Sequence, residues 1–223
     1  MARLLPSPRA ALAVLTGLNF LNYLDRFIPA AVLTPMSAEL HMSGAKGGSL
    51  QFAFILTFAI VAPLFGWLGD RRTRFSLAAI GVFVWSAATV ASGLATSYPV
   101  LLLARALTAV GEAGYTVVTP SLISDYYPVE RRGRALAIFY AAIPIGSAVG
   151  FLVGGAINAA WGWRAAFFVA GAPGAACDTW AISSAVRSMF IPLHGPPGSR
   201  AGSPWCGGGG TCGAACSCSC AAD

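Results

Sequence analysis

Six runs of about 20 mostly apolar residues recur along this chain, separated by short polar links. A helix rising ~1.5 Å per residue needs about that many to cross the ~30 Å hydrocarbon core of a bilayer. Hydrocarbon offers no water to backbone N–H and C=O groups, so such runs must fold as internally bonded helices. The pattern predicts an all-α, polytopic membrane protein. The spans read as Ala11–Thr34, Ser49–Gly69, Phe75–Leu94, Tyr98–Ile123, Ala135–Ile157 and Ala165–Val186. Pro173, Gly174 and Asp178 interrupt the last of them. Composition points the same way. The 223 residues are 57% hydrophobic and only 10% charged, whereas a soluble domain carries about 25% charged residues. Too little polar sequence is present to cover so much apolar surface in water.

The links alternate in charge. Arg3 and Arg9 precede span 1, Arg71, Arg72 and Arg74 follow span 2, and Arg131, Arg132 and Arg134 follow span 4. The opposite links hold only Lys46 and Arg164. Basic residues collect on the cytoplasmic side, which places the N-terminus in the cytoplasm, within the inner (plasma) membrane. The net charge of +6 is thus a topology signal. No basic face with interleaved aromatics is present, so nucleic acid is not an expected partner. Residues 1–30 do not read as a signal peptide, because Asn19, Asn22, Asp25 and Arg26 break the apolar run. The organisation is a short cytoplasmic N-terminus over 1–10, a six-helix membrane domain over 11–186, and a tail over 187–223.

Span 4 carries Arg105 and Glu112 within an apolar run. Each ionisable group at mid-bilayer costs about 2.5–3.5 kcal/mol on insertion scales, and such groups usually mark a substrate or proton route. Seven residues are about two helical turns, so both side chains lie on nearly one face. With span 1 running outward and span 4 inward, Asp25 and Arg105 both sit roughly 10–14 Å below the outer surface, within range of an ion pair. Glu112 lies deeper. Tyr23 is a candidate for the lining of the same cavity.

Between spans 2 and 3 the sequence reads Gly66-Trp67-Leu68-Gly69-Asp70-Arg71-Arg72-Thr73-Arg74. This resembles the signature loop of the major facilitator superfamily, with Gly66, Leu68, Asp70, Arg71 and Arg74 matching and Thr73 standing where glycine is usual. Arg105 followed by Gly111 and Gly114 resembles that superfamily's span-4 motif. Asn22-Tyr23-Leu24-Asp25-Arg26, Gly111-Glu112-Ala113 and Gly162-Trp163-Arg164-Ala165-Ala166-Phe167 resemble its spinster-like branch; the anion:cation symporter branch shares the first of these. The resemblance covers about residues 10–176. It implies the N-terminal six-helix half of a proton-coupled secondary transporter that carries a small organic or lysolipid-like anion. It implies a latch at Gly66, Asp70, Arg71 and Arg74, in which the aspartate caps a neighbouring helix and pairs with arginine. It implies that Asp25, Arg105 and Glu112 serve proton coupling and substrate binding. A full member has a second six-helix half, which such a chain needs as partner along with the lipid bilayer.

Gly146, Gly150 and Gly154 form a ladder of small residues in span 5 that predicts close helix packing. The tail is rich in Gly, Pro, Ser and Cys, a composition that suits disorder. Its abrupt change after the resemblance ends reads as a truncated or frame-shifted, non-native sequence, and a non-transporting fragment is the rival reading. Cys206, Cys212, Cys216, Cys218 and Cys220 lack the paired knuckle spacing of a zinc site. No metal or cofactor is expected. No nucleophile triad or phosphate loop appears, and the chain does not read as an enzyme.

Overall fold

The computed structural model describes residues 7–172. Six helices run in order: α1 (Pro8–Ala31), α2 (Leu33–Glu39), α3 (Gly44–Arg71), α4 (Arg74–Gly93), α5 (Tyr98–Tyr126) and α6 (Val129–Trp161). Helical backbone over residues 163–172, here α7, follows. No strand occurs among the described residues. Among the described residues, four helices, α3 to α6, are long and apolar enough to cross a membrane. The 24-residue α1 is of similar length but carries Asn19, Asn22, Asp25 and Arg26. The sixth expected span starts with α7. Its remainder and the Cys-rich tail lie outside the described residues.

Capping chemistry sets several helix starts. Ser7 accepts a hydrogen bond from Ala10 N at 3.3 Å, and Pro8 occupies the first turn, where no N–H is needed. Ser43 caps α3 in the same way through Lys46 N. Two expected boundaries need correction. The first span does not continue to Thr34: it breaks at Val32, and residues 33–39 form the separate α2. Pro29 lies in the last turn of α1 and deprives it of one backbone donor. The fifth span, expected at Ala135–Ile157, runs over Val129–Trp161 as α6. Apolar runs mark what lipid covers, whereas the hydrogen-bonded helix continues into the polar zone. Gly162, at φ 82°, ends α6 in a left-handed conformation that a side chain would disfavour.

Packing pairs α4 with α5, α1 with α6, and α3 with α5. Two glycine crossings set the first two contacts. A Cβ on Gly111 would lie 2.3 Å from Trp85 N and 2.6 Å from Gly81 O. A Cβ on Gly150 would lie 2.5 Å from Leu24 O. The backbones therefore approach as closely as small residues allow. The expected ladder does this work: Gly146 meets Phe20 and Tyr23, Gly150 meets Leu24, and Gly154 meets Ala31. One apolar cluster gathers Ile28, Met36, Leu50, Leu101, Trp163 and Phe167 at the end of the bundle that carries α2. A second joins Leu18, Val82, Trp85, Tyr115 and Val118. More than half the residues in the most apolar stretches of α4 and α5 are buried, against few in α3 and α6.

Candidate functional site

The crossings bring the charged turn of α1 against α4 and α5. Asp25 and Arg26 are neighbours in sequence, so their side chains leave α1 about 100° apart. They meet different partners. Asp25 is fully buried and turns to α4. Its Oδ2 accepts hydrogen bonds from Trp85 Nε1 at 3.0 Å and from Thr89 Oγ1 at 2.7 Å. Its Oδ1 has no protein partner. Arg26 turns to Glu112 on α5. Arg26 Nε donates to Glu112 Oε2 at 2.9 Å, and its Nη2 pairs with the same oxygen. Glu112 is fully buried, and its Oε1 has no protein partner.

Arg105, 1% exposed, makes no ion pair among the described residues. Its Nη1 and Nη2 are buried without a hydrogen-bond acceptor. Its guanidinium instead lies 4.9 Å from the centre of the Phe54 ring. The Arg26 guanidinium lies 5.1 Å from that ring, 4.8 Å from Tyr23 and 5.3 Å from Phe58. Aromatic faces attract cations by about 0.5–2 kcal/mol, which orients a guanidinium without consuming its donors. Asn22 is also fully buried with both amide atoms unpartnered.

The sequence placed Asp25 and Arg105 within pairing range at one depth. The structure brings Asp25, Arg105, Glu112 and Tyr23 into one region but selects different bonds. Glu112 takes Arg26, and Asp25 takes two neutral donors on α4. That these residues come near one another was legible, whereas the direction in which each side chain leaves its helix was not. Four contributors escaped sequence reasoning: Arg26 as a site residue, Phe54, Trp85 and Thr89. A signal existed for the last two, since Trp85 and Thr89 are one turn apart and share a face of α4.

A cavity of about 360 Å³ opens beside this cluster. Arg26 and Arg105 form its cationic side, and Leu33, Met36 and Leu50 are among its apolar lining. An anionic group entering it would meet donors already desolvated and positioned. Charge-assisted bonds to a guanidinium are roughly twice as strong as neutral ones. The unpartnered oxygens of Asp25 and Glu112 can each accept a proton or a donor group.

The expected latch residues lie at the other end of α3. Asp70 Oδ1 is 3.8 Å from Arg74 Nη2, and Arg74 Nη1 lies 3.1 Å from Asp125 Oδ2 at the end of α5. Arg71 stacks on Trp67 at 4.2 Å. Gly66 faces Val117 on α5. Asp70 is exposed, and Thr73, the residue at the α4 cap position, makes no side-chain cap bond. Arg74 instead ties α4 to α5 through Asp125.

Comparison with known proteins gives the family of the chain. The family model described as Major Facilitator Superfamily matches residues 15–205. The chain is 39% identical over 141 residues to "Protein spinster" of Drosophila melanogaster, covering 63% of this chain and 23% of that protein. It is 37% identical over 162 residues to "Sphingosine-1-phosphate transporter SPNS2" of Danio rerio, covering 70% and 32%. It is 37% identical over 188 residues to "Protein spinster homolog 1" of Homo sapiens, covering 83% and 34%. The chain thus spans about a third or less of the length of these relatives. Among solved structures, a bacterial homolog of the human lysosomal transporter Spinster, inward-facing and unoccupied, superposes with TM-score 0.75 at 30% identity. That match covers 80% of this chain and 43% of the other. The chain belongs to the Major Facilitator Superfamily and is spinster-like within it.

Proposed function

We propose that this chain forms the first six-helix half of a proton-coupled secondary transporter for a small organic or lysolipid-like anion. The observation that carries the reading is Arg105: a buried guanidinium with two unpartnered terminal nitrogens, facing a cavity that is otherwise largely apolar. A buried charge left without acceptors is costly, and an anionic head group would supply them. The apolar lining suits a hydrocarbon portion. Asp25 and Glu112 are the titratable pair, each with one oxygen open to a proton. Protonation of Glu112 would weaken its bond to Arg26 and offer a second guanidinium to the anion. The name of the zebrafish relative supports sphingosine-1-phosphate as a probe. The arginine bias supports a plasma-membrane orientation with the N-terminus inside. Alternating access would rock this half against a partner half, with the cavity at their interface.

The test is uptake of sphingosine-1-phosphate into proteoliposomes under an imposed pH gradient. Uptake should depend on the gradient, fall with Arg105→Ala, and lose its pH dependence with Glu112→Gln. Unchanged coupling in Glu112→Gln would remove that residue from the mechanism.

A second reading is that this chain alone moves nothing and serves only to pack against another half. The sparse burial along α3 and α6 favours it, because both helices leave apolar surface unmatched within the described residues. Phe52, Ile60, Leu64 and Leu152 are among the exposed residues. Probe binding to Arg105 without gradient-driven uptake would select this reading.

A further inference from the structure

At the end of the bundle opposite the Asp70 loop, one carboxylate joins three connections. Glu39 ends the short α2. Its Oε2 accepts a hydrogen bond from Trp163 Nε1 at 2.6 Å, and its Oε1 accepts from Arg164 Nη1 at 2.5 Å. Arg164 Nη2 donates to the carbonyl of Ala95, in the link between α4 and α5, at 2.8 Å. The same guanidinium lies 4.2 Å from the centre of the Trp163 ring. The hydrogen bond from Trp163, aided by the charge of Arg164, holds the Glu39 carboxyl below the usual carboxylate range. Glu39 is therefore ionised at neutral pH, and both of its oxygens are engaged.

The position of α2 gives this network a consequence. Leu33 and Met36, on the same short helix, line the cavity beside Arg26 and Arg105. Met36 is fully buried in the cluster that contains Trp163 and Phe167. A Cβ on Gly47 would come within 3.2 Å of the Leu33 side chain, so α2 also lies directly on the start of α3. A seven-residue helix has little stability of its own and depends on such anchors.

We propose that Glu39, Trp163 and Arg164 form a clasp that holds α2 in place as the closed wall of the cavity, and that release of the clasp opens the cavity along α2. Arg164 is the hub, because one planar fork reaches both α2 and the α4–α5 link. Lysine offers no such fork, so Arg164→Lys should loosen the clasp while keeping its charge. The proposal concerns access to the cavity and holds whether or not the cavity takes the anion proposed above.

The test reads access without transport. In a cysteine-free background of the full chain, reconstituted in nanodiscs, Leu50→Cys places a thiol in the buried cavity wall. Its reaction rate with a charged, membrane-impermeant thiol reagent reports opening. Adding Glu39→Gln should raise the rate about tenfold, as expected when local opening becomes that much more populated. Trp163→Phe and Arg164→Lys should each raise it by less. A second thiol, Ala135→Cys, is buried in a different apolar cluster and should react no faster. Unchanged Leu50→Cys labelling in all three clasp variants would overturn the proposal. Equal acceleration at Ala135→Cys would overturn it too, since the whole domain would then have loosened.

Discussion

At the α3–α4 turn, Arg74 reaches towards Asp70 and Asp125 in the open, with side chains 35%, 79% and 62% exposed. Within the bundle, Arg26 meets a Glu112 that is wholly out of water. The residue types are the same, but the surroundings reverse what each pair is worth. An exposed pair exchanges water for a partner at little gain, typically about 0–1 kcal/mol. A buried pair has already lost its water, so removing one partner strands the other at about 3–5 kcal/mol. The exposed cluster can form and break as helices shift. The buried one is held unless a proton or ligand changes its charge balance.

Removing the buried partner is the sharpest test of this contrast. Arg26→Ala should destabilise the chain by about 3–5 kcal/mol, read as a lowered unfolding midpoint in detergent, because the buried Glu112 loses its partner and must either hold an unpaired charge or take up a proton. Glu112→Gln in the Arg26→Ala background should recover much of that loss. If the double variant is no more stable than Arg26→Ala, the stranded charge is not the cause. A smaller effect is expected at Asp25. Thr89→Val removes one of two donors to its Oδ2 and should cost about 1.5–3 kcal/mol, as for a hydrogen bond to a charged group. Thr89→Ser should restore it. At the exposed end, Arg74→Ala should cost no more than about 1 kcal/mol. Raising salt to ~1 M, where the Debye length falls to ~3 Å, should erase that difference and leave the Arg26→Ala effect standing. A salt-sensitive Arg26→Ala effect would place that pair in water and end the comparison.

The open guanidinium of Arg105 adds a third case. Its neighbours include Asp25, yet Asp25 is held by Trp85 and Thr89. By satisfying the carboxylate with neutral donors, α4 leaves the arginine available. A span without a charged residue beyond its first turn thereby shapes the charge pattern of two others. Arg105→Lys should weaken binding of an anionic probe, because an ammonium lacks the planar fork, and equilibrium binding to the purified chain measures it. Binding equal to the parent would show that the fork is not used.

The sequence alone determined that this chain belongs in a membrane, about where its long apolar helices run, and which ionisable side chains fall within them. Those conclusions follow from composition and period, since hydrocarbon accepts only helices at this length and tolerates few charges. The Gly146 ladder was legible for the same reason: small residues at one helical spacing have a local meaning. Helix ends were less so, as Val32 and Val129 show, because caps lie beyond the apolar runs. Tertiary structure alone decided the partners. Depth along a helix can be counted from sequence, but the azimuth at which Asp25 and Arg26 leave α1 matters only once Gly150 has seated α6 and Gly111 has seated α4 on α5. Those two close approaches turn adjacent residues towards different helices, giving Glu112 to Arg26, Asp25 to Trp85 and Thr89, and leaving Arg105 without an ion pair among the described residues.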